Sequence, residues 1–540
     1  SPLAPRNFLS MVEKTIEIKQ GQVLSDILPN KEIPTNTILN KTLTGCGATY
    51  GEIVHAKRHS IIIEPNVPVI LGKKAEHPSL FAVYEGITKE DVKAFLAGEE
   101  DGFRKIITTP EGFDKKVLPA MYETHTPMYD AYFLLLDECE KTIQDVGYRG
   151  DIYLPVEDFF RFKNKAMVSA TPILPSDPRF EEQNFEMVRI APTYDYRRPL
   201  TLCVTNNTVR ILRKLLVRLK DETVCIFINS TDTILGLIQT LKLEGRCKVF
   251  CADKSVRKLK QQNFTDVSDR LSELAGVNFF TSRFYSAVDI KLDYKPHLIV
   301  LTDVFHAPYS MIDPQTEVVQ AIGRFRNGIE QAYHITNTCD RLQSVSRDKL
   351  FHNLECQERI YNRIRELPIK GEIEHQTLTQ ALQGMDYKRF VTRTGNRNWF
   401  MWDNAWTDAR LEALYRSSAT IEEEYKDAPF QLAVHKVDYD LTDEDRLRRT
   451  QAQIKGTTEL WREVVEQIDR IQRQNPDAEQ TFLCEQLGDT FSEIIEAATI
   501  LGKERIGQLG YDRRRIKAAL ENVEENRLMT SEKMQRAVYA

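Results

Sequence analysis

The sequence predicts an α/β protein: two parallel-sheet domains in tandem, followed by a helical domain. Three observations lead there. Short, continuous apolar runs recur between residues 35 and 336, each closed by Pro, Gly or a polar pair, as strands buried on both faces are. The stretches between them are long enough to carry the crossover helices that parallel strands require. Beyond about residue 346 the apolar residues fall three and four apart instead, as in 350–367 and 461–471.

Bulk properties agree with a soluble globular chain. It has 540 residues, which suggests about three or four domains. Hydrophobic residues make up 41% and charged residues 28%, both ordinary values. No apolar run approaches the ~18 residues of a transmembrane helix. The net charge of −6 does not advertise nucleic-acid binding, but local patches decide that more than the sum. The nine cysteines are scattered without a C-x-x-C pair, which argues for reduced core thiols in a cytoplasmic protein and against structural zinc. Residues 1–10 show no charged-then-apolar leader, and the Ser1-Pro2 start reads as a cloning or processing remnant.

The elements follow in order. Residues 1–34 read as an N-terminal arm with one short amphipathic piece near 12–18. A strand-like run at 35–39 and a short helix at 50–57 flank residues 42–49, Thr-Leu-Thr-Gly-Cys-Gly-Ala-Thr. A glycine-containing turn between strand and helix aims backbone N–H groups at an anion, and the helix N-terminus adds partial positive charge. The phosphate-loop pattern is G-x-x-x-x-G-K-[ST]. Gly47 and Thr49 fit it; Ala48 stands where the lysine belongs. Alone, the stretch also reads as an ordinary tight turn.

Residues 60–66 form a buried strand ended by Pro65. Residues 105–112 form a strand breaking into a turn at Thr109-Pro110. Residues 131–140 form an apolar strand ending in Asp137-Glu138. Acids at the C-terminal edge of a parallel sheet stand where open α/β folds bind ligands. The next strand, 166–172, carries Ser169 and Thr171 at its tip. Residues 173–198, with their prolines and charges, read as an interdomain linker. The second series has strands at 224–228, 248–252, 277–282, 297–302 and 332–336. Helices are expected at 231–243, at the basic stretch 254–260 and around 320–328. The domain bounds are therefore 1–34, 35–195, 196–345 and 346–540. All four tryptophans lie in the last of these.

This order of signatures resembles the superfamily 2 helicases and translocases. Residues 42–49 resemble motif I, 61–66 motif Ia, 108–112 motif Ib, 137–140 motif II and 169–171 motif III. Residues 224–231 resemble motif IV, 281–290 motif V and 320–326 motif VI. The likeness covers about residues 35–340. The Gly-Cys-Gly-Ala-Thr form is similar to divergent helicase-like proteins of phages and mobile elements, which would act in the host cytoplasm.

The resemblance implies two RecA-like domains that clamp ATP and Mg²⁺ and grip DNA or RNA, single-stranded or duplex. Thr49 and Asp137 would hold the metal, and Glu138 would orient or deprotonate the attacking water. Arg324 and Arg326 would be cationic fingers, with Gln320 sensing the γ-phosphate and Asp289 near the ribose or the water. Gly45 and Gly47 would let the backbone approach the phosphates. Pro65, Thr109, Pro110, Ser169, Thr171 and Thr281 would face nucleic acid, Ser169 and Thr171 coupling it to the domains.

The departures matter as much. Ala48 implies lost hydrolysis, a lysine displaced to Lys41, or an engineered Lys→Ala change. Ala287 replaces the motif V glycine, Asn327 a motif VI arginine, and Glu140 the usual Asp or His. Two further functions therefore stand beside an ATP-dependent helicase or translocase. One is a pseudo-helicase that binds without turnover; the other is a structural or cargo protein holding a protein partner through its helical tail. Plainer readings exist for single features. Lys41 reads as a strand-edge lysine, 254–260 and 513–517 as solvated faces, and the Trp399, Trp402 and Trp406 cluster as helical core rather than a base-stacking surface beside Arg393 and Arg397.

Overall fold

The computed structural model describes residues 11–98, 102–286 and 289–538. The first sheet contains β1 (Val12–Ile18), β2 (Thr37–Asn40), β3 (His59–Ile63), β4 (Phe81–Val83), β5 (Lys105–Thr108), β6 (Tyr132–Asp137), β7 (Asn164–Ser169) and β8 (Glu186–Pro192). Its order is β1-β8-β2-β7-β6-β3-β5-β4. The second contains β9 (Arg198–Thr205), β10 (Val224–Phe227), β11 (Cys247–Phe250), β12 (Val267–Ser268), β13 (Val277–Phe280), β14 (His297–Thr302), β15 (Ala332–Thr336) and β16 (Phe430–Val437). Its order is β12-β11-β13-β10-β14-β15-β9-β16. All ladders in both sheets are parallel.

The apolar runs form strands because both faces are covered. β6 is buried along its whole length, and its side chains alternate between two clusters. Leu134 and Leu136 enter one, Phe133 and Leu135 the other. Register then fixes the site. Asn40 pairs with Ser169, Asp137 with Val168, and Ile63 with Leu136. The residues just past these pairs, Lys41, Glu64 and Glu138, therefore leave one edge of the sheet side by side.

Three stretches differ from the sequence reading. Residues 12–18 are not part of a free arm: β1 pairs with β8 over seven residues, and Ile18 is fully buried. Residues 1–10 of that arm lie outside the described residues. The supposed linker at 173–198 supplies β8, inserted between β1 and β2. Its charged, exposed residues hid a strand whose Val188 and Ile190 are core.

The helical region is not one body either. Leu354, Tyr361, Tyr387, Phe390 and Trp402 join the first lobe's core. Leu414, Tyr415, Ile421, Tyr425 and Phe430 join the second's, and Phe430 opens β16, an edge strand beside β9. A separate core begins at Leu441 and centres on Trp461, Val464, Ile468, Leu483 and Ile495. Trp402 is completely buried, as the core reading of the tryptophan cluster requires.

One helix, Trp399–Leu414, spans the two lobes. Near its start Asn404 Nδ2 donates to the carbonyls of Ile143 (2.9 Å) and Gln144 (3.1 Å), and Asp403 accepts from the Ser176 N–H at 2.7 Å. Near its end Arg410 pairs with Asp313 and with Glu424 (2.7 Å), both packed with the second lobe.

The second lobe also buries a neutral imidazole. His334 meets Tyr425 Oη at 2.7 Å and Thr302 Oγ1 at 3.0 Å, and burial pulls its pKa down to about 3. The unfolded chain would take up a proton near pH 6.5, so this contribution is complete above that value and is lost as pH falls toward 3. In denaturant titrations between pH 7 and 4, His334→Gln should lose less stability on acidification than the parent.

Candidate functional site

The seam between the lobes gathers most of the residues singled out for nucleotide chemistry. The phosphate-like loop turns through left-handed backbone at Thr42 (φ 58°), Gly45 (φ 76°) and Gly47 (φ 91°). Thr42 holds its conformation by donating to the Ile190 carbonyl at 2.5 Å and by its N–H to Asn40 Oδ1 at 3.0 Å. Helix Ala48–Val54 follows, its N-terminus lacking a side-chain cap. Its orphan N–H groups are the kind an anion satisfies.

Thr49 Oγ1 donates to Asp137 Oδ2. Glu138 adopts φ 47°, an uncommon value for a non-glycine residue, with its N–H bonded to Asp137 Oδ1 at 2.9 Å. Lys41 Nζ lies 3.8 Å from Asp137 and 3.6 Å from Glu138, and all three side chains are nearly buried. Burial opposes the charge on Lys41, but Glu138 and Asp137 outweigh it and raise its pKa. Burial likewise opposes ionisation of Glu138, yet Lys41 and Arg324 bring its pKa down to about 2.

The second lobe closes the seam. Gln320 Nε2 donates to Thr171 Oγ1 (3.0 Å), Glu140 Oε1 (3.3 Å) and Glu138 Oε2 (3.4 Å). Arg324 lies 3.9 Å from Glu138 and 3.5 Å from Asp289, and donates to Gln320 Oε1 at 3.1 Å. Arg326 pairs with Asp289 at 2.8 Å and reaches over the loop: a Cβ on Gly45 would stand 2.7 Å from its Nη1. A Cβ on Gly323 would meet Thr44 at 2.6 Å. Glycine is thus required on both sides of the seam for contact. Ala287 lies outside the described residues.

Ala48 does not face this cluster. It is buried in the apolar core with Leu24 and Cys46, under a segment whose Leu24 N–H bonds the Cys46 carbonyl at 3.1 Å. Two acids were missed in the sequence. Glu64 is buried, and burial plus Asp137 and Glu138 raise its pKa; its signal was an acid at the end of an apolar strand, the same as for Asp137. Glu140, seen only as a departure, is also fully buried, and burial plus Glu138 push its pKa up to about 8.

The residues expected to face nucleic acid are placed in three groups. Ser169 and Thr171 join the seam, the Thr171 N–H donating to Ser169 Oγ at 2.9 Å. Pro65, Thr109 and Pro110 lie on the first lobe, where Arg149 donates to the Pro65 carbonyl at 2.7 Å and pairs with Glu111 at 2.8 Å; Thr109 Oγ1 caps the turn at Gly112. Thr281 lines a cavity on the second lobe. All six are buried, so a strand would meet their neighbours and backbone first.

Thr49 and Asp137 suit Mg²⁺. That ion uses one or two protein oxygens and completes its shell with phosphates and water. The described residues contain no cluster of three or more His, Cys, Asp or Glu arranged to hold a metal alone.

The two lobes are tandem α/β domains, each built on an eight-stranded parallel sheet, with a helical region after them. The chain matches no protein-family model and no curated protein. Among solved structures it is similar to S. cerevisiae Dbp5 bound to RNA and ADP BeF3, at 12% identity and a TM-score of 0.38, over 75% of this chain and 86% of that one. It is also similar to the Mycobacterium smegmatis helicase Lhr bound to ssDNA and AMP-PNP, at 12% and 0.37, over 65% and 46%. A third is the DUF1998 helicase MrfA bound to DNA and AMPPNP, at 13% and 0.38, over 56% and 46%.

The contact of Gly323 with Thr44 gives a direct test. Gly323→Ala should push the lobes apart, costing about 1–3 kcal/mol of stability in denaturant titrations. It should also weaken binding of a fluorescent ATP analogue.

Proposed function

We propose that the chain is a nucleic-acid-dependent ATPase of the superfamily 2 helicase or translocase type, with its phosphate lysine supplied by Lys41. The observation that carries this reading is Lys41 itself. Its ammonium group stands at the end of β2 between Asp137 and Glu138, while Ala48 is turned into apolar core. The charge missing from the loop enters from the strand before it.

In this reading ATP lies on the loop 42–49, with Gly45 and Gly47 allowing close backbone approach. Thr49 and Asp137 would hold Mg²⁺, which when bound would supply positive charge to the phosphoryl oxygens. Glu138, kept ionised by Lys41 and Arg324, faces the seam as the acid that orients or deprotonates the attacking water. Arg324 and Arg326 bring cations from the second lobe, and Asp289 holds both guanidinium groups in place. Gln320 touches Glu138, Glu140 and Thr171 together, so movement of the second lobe reaches the water-orienting acid and the tip of β7 at once. DNA or RNA crosses the first-lobe turns around Pro65 and Thr109 and the second-lobe cavity at Thr281.

A second reading, binding without turnover, rests on Ala48. The two differ in outcome. On the first, Glu138→Gln should reduce nucleic-acid-stimulated ATP hydrolysis by about 10²–10⁴-fold while nucleotide still binds. Lys41→Ala should weaken triphosphate binding by about 10- to 100-fold. Ala48→Lys should lower stability, because the new stem enters a filled core, and should not rescue Lys41→Ala. Turnover created by Ala48→Lys in a parent without activity would establish the second reading instead.

A further inference from the structure

The second lobe carries a cavity of about 450 Å³ beside the C-terminal ends of β10, β11, β13 and β14. That is the size of a ligand pocket. Its lining includes Ser230, Ser255, Thr281, Arg283, His306 and Tyr309. We propose that it holds one nucleotide unit of a single strand, its base stacked on Tyr309 and its phosphate met by Arg283. The inference rests on the nucleic-acid reading above and adds to it contact with a base, through residues 303–310, which belong to none of the motifs.

Tyr309 carries the base contact. It is 82% exposed, makes no ring contact among the described residues, and sits on the short turn Pro308–Ser310. The turn is stiff: Ser310 Oγ donates to the Ala307 carbonyl at 2.6 Å and accepts the Asp303 N–H at 2.8 Å. A large aromatic ring held in water by a rigid turn contributes nothing to the core. It offers a flat face already fixed for stacking, which any base can use.

The rest of the lining selects for phosphate. Arg283 has no acidic partner among the described residues. Of the acids nearby, Asp232 pairs with Lys258 at 2.6 Å and Asp253 with Arg257. Helices Thr231–Leu241 and Asp253–Gln261 begin at the rim, at Ser230 and just before Ser255, so two partial positive charges converge there. His306 Nδ1 meets Asp303 Oδ2 at 3.1 Å, which fixes the ring as part of the cavity wall beside the Tyr309 turn. Asp303 in turn is held by Asn337 (2.9 Å) and by Arg446 (2.6 Å) of the C-terminal helices.

The test is binding of a fluorescent twelve-residue oligothymidylate, the same oligomer made abasic, and thymidine monophosphate, to the full chain and its variants. Tyr309→Ala should weaken oligothymidylate binding by about 5- to 100-fold, and Tyr309→Phe should match the parent. The abasic oligomer should bind parent and Tyr309→Ala alike. Arg283→Ala should reduce the slope of log affinity against log salt by about 0.7. ATP hydrolysis without nucleic acid should be unchanged in Tyr309→Ala. Equal oligothymidylate binding by parent and Tyr309→Ala would overturn the base contact and leave the nucleic-acid reading standing. No binding to the parent at all would overturn both. Saturable monophosphate binding that Tyr309→Ala abolishes would replace the strand with a free nucleotide.

Discussion

The buried charges at the seam are the constraint on which the rest of the structure depends. Asp137 and Glu138 end one strand, Lys41 follows its neighbour but one, and Arg324 arrives from the other lobe. Buried ions are tolerated only when paired and hydrogen-bonded. Removing any one of these groups would leave another charge without compensation. Within the first lobe Lys41 and the buried Lys141 face these acids, and the second lobe adds Arg324 beside Glu138. The second lobe is therefore electrostatically part of the first, and the glycines at 45 and 323 are what allow the approach.

Much of this was legible in the sequence, and for identifiable reasons. Continuous apolar strands such as Tyr132–Asp137 report burial on both faces, and their polar tips report the sheet edge. Asp137, Glu138, Gln320 and Arg324 were visible because each follows a strong local pattern. The misses have a common cause. β1 and β16 are edge strands whose residues mostly face water, and β8 beside β1 alternates core Val188 and Ile190 with exposed Arg189, so no continuous apolar run appears. Glu64 carried the same local signal as Asp137, an acid ending an apolar strand, but only register shows that the two strands end side by side. The single helical domain expected after residue 346 divides among three cores because amphipathic spacing tells which face is buried but not against what.

Ala48 shows how a motif read residue by residue differs from one read in space. In the linear pattern it is a lost lysine. In the fold it is a core residue beneath Leu24, and a lysine seven positions earlier stands against the same acids. The N-terminal segment that covers Ala48 enters the same sheet through β1, so the covering and the substitution belong to one arrangement.

The helix Trp399–Leu414 has a mechanical consequence. It is anchored to one lobe through Asp403 and Asn404 and to the other through Arg410 and Leu414, within three turns. The two lobes are thus tied together behind the seam by a single rigid element, so whatever shifts one end of that helix is felt at the other.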